Sequence, residues 1–211
     1  MNTFQTPNPI AVVLDVLSAT VNVIASDRTD TVVQIHPADE SKKADVRAAA
    51  QTRVDFAAGT LTVTTPKDWR TYSPFGGNPT IEVTIEVPTG SQLTGNAGVG
   101  RLRGTGEFGE CRLEIAAGDI FVDRPLGSVT AKTSCGDIRI GAAARGDIRL
   151  ETSMGELEVG IRPGSAVNVQ TNTLQGNVQN QLGPVADANG DTVQVYARSA
   201  MGNITIHHAA A

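Results

Sequence analysis

The sequence predicts an all-β fold, a two-sheet β-solenoid of the β-helix or β-roll kind, and three observations predict it. Glycine recurs with a near-constant beat from Gly100 onward, at Gly109, Gly118, Gly127, Gly136, Gly146, Gly155 and Gly164, in steps of nine or ten. Most of these glycines are followed by a polar residue and then an apolar alternation of period two, the signature of a half-buried strand. Outside one alanine-rich stretch no segment carries a helical period.

The elements follow in order. Ile10–Asp15 and Val21–Ala25 alternate on either side of Leu17-Ser18-Ala19-Thr20, and Thr31–Ile35 reads as a third strand. Ala44–Gln51 is the one helical stretch, short and alanine-rich. Arg53–Phe56 and Thr60–Thr64 flank Ala57-Ala58-Gly59 and predict a hairpin with glycine in its loop. Thr80–Val87 places Ile81, Val83, Ile85 and Val87 on one face, and Pro88-Thr89-Gly90 ends it. This N-terminal region, 1–90, is expected to hold antiparallel strands and one short helix. The glycine-punctuated repeat fills 91–211. No linker-like composition separates the two, so one continuous domain is expected.

Within the repeat the strong copies are Gly118-Asp119-Ile120-Phe121-Val122, Gly136-Asp137-Ile138-Arg139-Ile140, Gly146-Asp147-Ile148-Arg149-Leu150 and Gly155-Glu156-Leu157-Glu158-Val159. Later copies begin at Gly176-Asn177 and Gly202-Asn203. Nine residues hold one strand of about five and a turn of about four. Two such units make an 18-residue coil, with Gly100, Gly118, Gly136 and Gly155 along one corner and Gly109, Gly127, Gly146 and Gly164 along another. Ile120, Val122, Ile138, Ile140, Leu157 and Val159 point inward; Phe121, Arg139 and Glu158 point out. One strand cannot bury its apolar face alone, so successive units must stack. An up-and-down sandwich of hairpins has the same alternation and stays open as an alternative.

Composition narrows the function classes. The chain has 211 residues, is 40% hydrophobic and 18% charged, and carries a net charge of −5. A chain this long buries about 70% of its unfolded surface, enough for a core without staples. The acidic balance excludes a strongly basic nucleic-acid binder. Two cysteines and three histidines leave little material for a multi-ligand metal site. The N-terminus carries neither a basic, apolar export signal nor a membrane-length apolar run, so a cytoplasmic protein without membrane insertion is expected. Cys111 and Cys135 are then reduced and structural.

Several features together resemble the putative-adhesin, or toast-rack, family of bacterial β-strand-repeat domains. The carriers are Val21–Val33, Ser41-Lys42-Lys43-Ala44-Asp45-Val46-Arg47, the Gly-Asp-Ile copies, and the terminal Ser199-Ala200-Met201-Gly202-Asn203-Ile204-Thr205-Ile206. The resemblance covers nearly the whole chain. It implies an all-β repeat fold and a domain without established function, and it carries over no catalytic motif.

Each candidate site also has a structural reading. Asp119, Asp137 and Glu156, with Glu110 and Asp147 on the other corner, invite comparison with calcium-binding β-rolls. The roll motif has more glycine, however, and acids after a glycine cap tight turns. Gly118, Asp119, Gly136, Asp137, Gly146, Asp147, Gly155, Gly176 and Gly202 are therefore read as turn residues. Stacked Asp119 and Asp137 also suggest the paired acids of a polysaccharide-active enzyme, about 5–9.5 Å apart, but no aromatic platform accompanies them. Arg101, Arg103, Arg112, Arg139 and Arg149 face outward among Glu110, Glu114, Glu151, Glu156 and Glu158, which predicts charge pairs rather than a stripe of one sign. His207-His208 reads as a frayed tail. Trp69, Arg70, Tyr72 and Phe75 lie in a glycine- and proline-rich loop holding three of the eight aromatics. They form either a partner site or a flap over an open end of the core, with Trp69 buried and Tyr72 and Phe75 exposed. The expected function is a non-enzymatic β-repeat scaffold or interaction module with a protein or glycan partner. The alternatives are a surface adhesin or envelope-stress sensing module and, third, a polysaccharide-active enzyme. No cofactor or metal is expected. The chain is expected to be a monomer or an end-to-end homo-oligomer.

Overall fold

The computed structural model describes residues 1–66, 79–183 and 191–209. Its strands are β1 (Asn2–Gln5), β2 (Ala11–Ser26), β3 (Asp30–Pro37), β4 (Arg53–Ala57), β5 (Thr60–Thr64), β6 (Ile81–Pro88), β7 (Gln92–Phe108) and β8 (Cys111–Pro125). They continue as β9 (Val129–Cys135), β10 (Ile138–Ala143), β11 (Gly146–Met154), β12 (Leu157–Ile161), β13 (Ala166–Gln175), β14 (Val178–Asn180), β15 (Thr192–Met201) and β16 (Ile204–His208). One helix, α1, spans Lys43–Gln51.

Each coil contributes one strand to each of two sheets. The first sheet runs β4, β5, β2, β7, β8, β9, β11, β15, β13; the second runs β1, β3, β6, β2, β7, β8, β10, β12, β16, β14. From β7 on, every pairing is parallel. The hairpin-sandwich alternative is thereby excluded and the β-solenoid stands. Among the described strands, antiparallel pairs occur only among β1, β3 and β6 and in the β4–β5 hairpin. The hairpin turns through Ala58 and Gly59, both at positive φ, as a two-residue connection requires.

The alternation places the core between the sheets. Ile120, Ile138, Leu157 and Ile204 align across four coils, as do Val122, Ile140, Val159 and Ile206, and all eight are at most 2% exposed. In the first sheet the aligned column is Gly95, Leu113, Ala131, Leu150, Ala197 and Thr171. Large and small residues alternate down this column, so each leucine fills the space its neighbours leave.

Three expectations change. Ile10–Asp15 and Val21–Ala25 are not separate strands: β2 runs unbroken through Leu17-Ser18-Ala19-Thr20. Its outer neighbour switches there from β5 to β6, while β7 stays paired along it from Ala11 to Ile24. The Thr65 hydroxyl accepts the Leu17 N–H at 2.9 Å where the switch occurs. His207 and His208 are not a frayed tail but part of β16, paired with β12. Gly164 leaves the glycine column, because the partners aligned with Gly146 are Val193 and Val167.

Stacking also departs from sequence order at both ends. β2 lies between β7 and the coil made of β5 and β6, which it precedes in the chain. Likewise β15 and β16 lie between β11–β12 and β13–β14. At the C-terminal end the chain passes one slot, builds the coil of β13 and β14, and then fills the slot with β15 and β16; at the N-terminal end it lays down β2 first, builds the coil of β5 and β6 outside it, and returns past β2 to β7. The inserted strands gain backbone partners on both edges and are held in place.

Candidate functional site

The corner joining the two sheets is built from a short motif. Gly100, Gly118, Gly136, Gly155, Gly202 and Gly176 follow one another along it. Gly136 and Gly155 have φ of 142° and 150°, and a methyl group on either would overlap the carbonyl oxygen of the glycine one coil before. Both conformation and space therefore demand glycine. Gly118 turns this corner inside the continuous strand β8, and Gly146 begins β11 at the other corner with φ of 90°.

The residue after the corner glycine supplies a capping group. Asp119 Oδ1 accepts the Asp137 N–H at 3.2 Å, Asp137 Oδ1 accepts the Glu156 N–H at 2.9 Å, and Asn203 Oδ1 accepts the Asn177 N–H at 3.0 Å. Glu156, one methylene longer, accepts from Asn203 Nδ2 instead. Three residues before the glycine lies a second ladder that the glycine beat did not reveal. Thr133, Thr152, Ser199 and Thr173 donate their hydroxyls to the carbonyls of Gly118, Gly136, Gly155 and Gly202, at 3.0–3.3 Å. Thr133, Thr152 and Ser199 are buried, so the bonds satisfy polar groups that would otherwise be costly. The motif is Ser/Thr-x-x-Gly followed by Asp, Glu or Asn, and its hydroxyl could have been read from the sequence. At Asp147 the equivalent N–H is accepted by Ser128 Oγ at 3.1 Å.

These contacts bear on chemistry. Asp119 and Asp137, the pair considered for sugar hydrolysis, each use a carboxylate oxygen on a backbone N–H of the next coil. Their other oxygens face Arg101 at 3.3 Å and Arg139 at 3.4 Å. Among the described residues no cluster of three or more His, Cys, Asp or Glu is placed to hold a metal ion.

The outer face of the second sheet carries a shallow cleft of about 230 Å³ lined by Arg101, Arg103, Asp119, Phe121, Asp137 and Arg139. Arg103 stacks on the Phe121 ring at 4.8 Å; Arg139 also reaches Glu158 at 3.6 Å, and His207 Nε2 lies 3.0 Å from Glu158. On the first sheet Arg149 stacks on Tyr196 at 4.9 Å. Arg112–Glu110 and Arg149–Asp147 pair along a strand at 2.7 and 3.2 Å, whereas Lys132–Glu151 pairs across strands at 3.6 Å. The arginines thus alternate with acids. Exposed pairs of this kind contribute little to stability and present no stripe of one sign to an acidic polymer.

The two cysteines differ. Cys111 is buried in the core, and burial, with the Glu110 charge adding to it, pushes its thiol up to about 12. Cys135 is exposed at the corner, so the structural role expected for both fits only Cys111. Trp69, Arg70, Tyr72 and Phe75 lie outside the described residues, in the connection from β5 to β6.

The two ends of the solenoid are finished differently. At the N-terminal end Phe4 of β1 meets Phe56 of β4, ring centroids 5.2 Å apart, closing the space between the sheets. Helix α1 packs against β3 and β6, and its buried Asp45 accepts the Thr80 N–H at 3.0 Å. At the C-terminal end β13 pairs only with β15, and β14 only with β16, among the described strands. Val167, Val169 and Leu182 line an opening there with Asn168, Asn180 and Gly183. From Pro163 to Gly183 no residue is charged, and Leu174 is 76% exposed.

Among the described residues no helix is long and apolar enough to cross a membrane. No protein-family model and no curated protein matches the chain. Solved structures do. A putative cell adhesion protein from Clostridium sporogenes is 10% identical with a TM-score of 0.55, over 98% of each chain. A putative adhesin from Bacteroides fragilis is 13% identical with a TM-score of 0.45, over 97% of this chain and 95% of that one. Another from Parabacteroides merdae is 12% identical with a TM-score of 0.33, over 97% and 94%. At such identity the likeness is one of fold, and the chain has the β-repeat fold of the Clostridium sporogenes protein along nearly its whole length.

Proposed function

We propose that the chain is a non-enzymatic β-solenoid interaction module, and that its C-terminal edge joins it to a second copy of itself. The observation that carries this reading is the contrast between the two ends. A sheet edge with unpaired N–H and C=O groups is a template for another strand, and proteins ordinarily blunt it with charge, shortness or a cover. β1 and β4 are short, β4 carries Arg53 and Asp55, and α1 lies close by. β13 is ten residues long, has no charge, and exposes Leu174. Two copies related by a twofold axis would pair β13 antiparallel with β13. Because the strand is neutral, identical edges meet without like-charge repulsion in any register. A partner of marked charge would find nothing complementary there. The cell-adhesion name carried by the Clostridium sporogenes structure of similar fold agrees with a binding role.

Sedimentation of the purified chain tests this. The wild type should be dimeric, and Gln170→Lys with Leu174→Lys, both on exposed positions of β13, should make it monomeric, folded, and with a melting temperature that no longer rises with protein concentration. A wild-type monomer at the highest soluble concentration, or a dimer indifferent to the two lysines, overturns the reading.

A further inference from the structure

We propose that Cys135, Met154 and Met201 form a binding site for one Cu(I) ion on the corner of the solenoid. Cys135 of β9 is aligned with Met154 of β11, and Met154 with Met201 of β15. Three of the five sulfur-bearing residues of the chain therefore occupy one column on three adjacent strands. All three are exposed, Met154 by 54% and Met201 by 48%. Large apolar side chains gain nothing from such exposure; the backbone carbonyls of Met154 and Met201 accept the Gly136 and Gly155 N–H groups, but among the described residues no hydrogen bond or ion pair engages the three sulfur-bearing side chains. The core does not account for them.

The donors suit one class of metal. A thiolate with two thioethers is a soft set, which selects Cu(I) over the hard cations that carboxylates and carbonyls bind. Neighbouring strands lie about 4.8 Å apart, and methionine's three rotatable bonds let its sulfur swing toward a neighbour. Sulfurs from three adjacent strands can thus converge over the middle residue, Met154. Each donor directly precedes a corner glycine, Gly136, Gly155 or Gly202, and these backbones are stacked too closely to admit a Cβ. The ladder is thereby held in register where the donors leave it, as a site on rigid elements requires. Beyond it the column ends in Ala117 on one side and Gln175 on the other, so the soft donors are confined to three coils. Binding would displace the Cys135 thiol proton to solvent and leave a neutral Cu(I)–thiolate pair.

The test is anaerobic competition for Cu(I) held by the chromogenic chelator bicinchoninate, using the reduced full chain. The wild type should withdraw one equivalent. Cys135→Ser should abolish withdrawal, while Cys111→Ala, altering the buried thiol, should leave it intact. Loss of a mere supporting contact costs about 10–100-fold in metal affinity, so Met154→Leu and Met201→Leu should each weaken binding at least that much. Leucine keeps the apolar bulk and removes only the sulfur, which separates a metal site from a plain apolar ridge. As a second readout, Ag(I) added to methyl-labelled protein should shift the Met154 and Met201 methyl resonances together, saturating at one equivalent. No withdrawal by the wild type, or full affinity in both leucine variants, overturns the proposal.

Discussion

The two ends of this solenoid solve the same problem in opposite ways. Any stack of parallel coils leaves an outermost coil whose inner face lacks a neighbour and whose edge lacks a partner. At the N-terminal end the remedy is hydrophobic: Phe4 meets Phe56, Ile35 and Val54 pack against the core, and α1 lies against β3 and β6. At the C-terminal end the coil itself becomes polar. The inward column that reads Val129, Ile148, Val195 continues to a half-exposed Val169, and the next column passes from Ala197 to Thr171. The difference teaches that an end can be terminated by covering it or by making it tolerant of water. Only the second leaves a backbone edge available for association.

The largest expected effect lies at the corner that both ends share. Gly155→Ala should cost about 3–5 kcal/mol, because φ and the carbonyl of Gly136 both exclude a Cβ. Denaturant unfolding measures it, and a cost near zero would show that the corner adjusts freely. In the middle of the stack Ile138→Ala should cost about 2–4 kcal/mol, whereas the outward Arg139→Ala should stay within about 0.5. Equal losses would mean the faces are assigned backwards.

The ends themselves come next. Phe56→Ala should destabilise by about 2–3 kcal/mol, less than the full-burial range for phenylalanine because the ring is only partly covered. Val169→Ala in the C-terminal coil should cost about 1 kcal/mol or less. If Val169 proves as costly as Phe56, the C-terminal end is as well closed as the N-terminal one and the contrast fails. Hydrogen exchange gives a finer measure: the amides of β14 should exchange faster than those of β3, since β14 is three exposed residues with one described neighbour.

The smallest effect concerns the thiols. At mildly alkaline pH a thiol reagent should label Cys135 quickly and reach Cys111 only on unfolding. The Cys111 pKa is raised in the fold to about 12, from about 9. A raised pKa contributes stability that is complete below the unfolded value and lost as pH climbs through the folded one. Stability of the wild type should therefore decline between about pH 9 and 12 more steeply than that of Cys111→Ala. Parallel pH curves for the two proteins would show that Cys111 is not shielded.

Much of the candidate site was legible in the glycine beat. Gly118, Gly136 and Gly155 are marked by spacing alone, because a repeated close approach of backbones admits one residue type. The acids at Asp119 and Asp137 were visible, and their two plausible roles were separable only by seeing which N–H groups they meet. The hydroxyl ladder of Thr133, Thr152, Thr173 and Ser199 was equally periodic, but its meaning depends on the glycine carbonyls one coil away. The sulfur column escaped a count of cysteines and histidines, since Met154 and Met201 lie 47 residues apart and become neighbours through β15 alone.

That insertion marks the boundary between sequence and tertiary structure in this protein. Local chemistry determined the strands, their inward faces and the corners, because alternation and glycine conformation act within a few residues. The order of coils is not local. Parallel strands accept any neighbour of matching register, and every coil here offers nearly the same pattern of apolar, polar and glycine positions. Which coil lies beside which was decided by long-range packing: β2 between β6 and β7, β15 between β11 and β13, and an aromatic pair at one end against a neutral edge at the other.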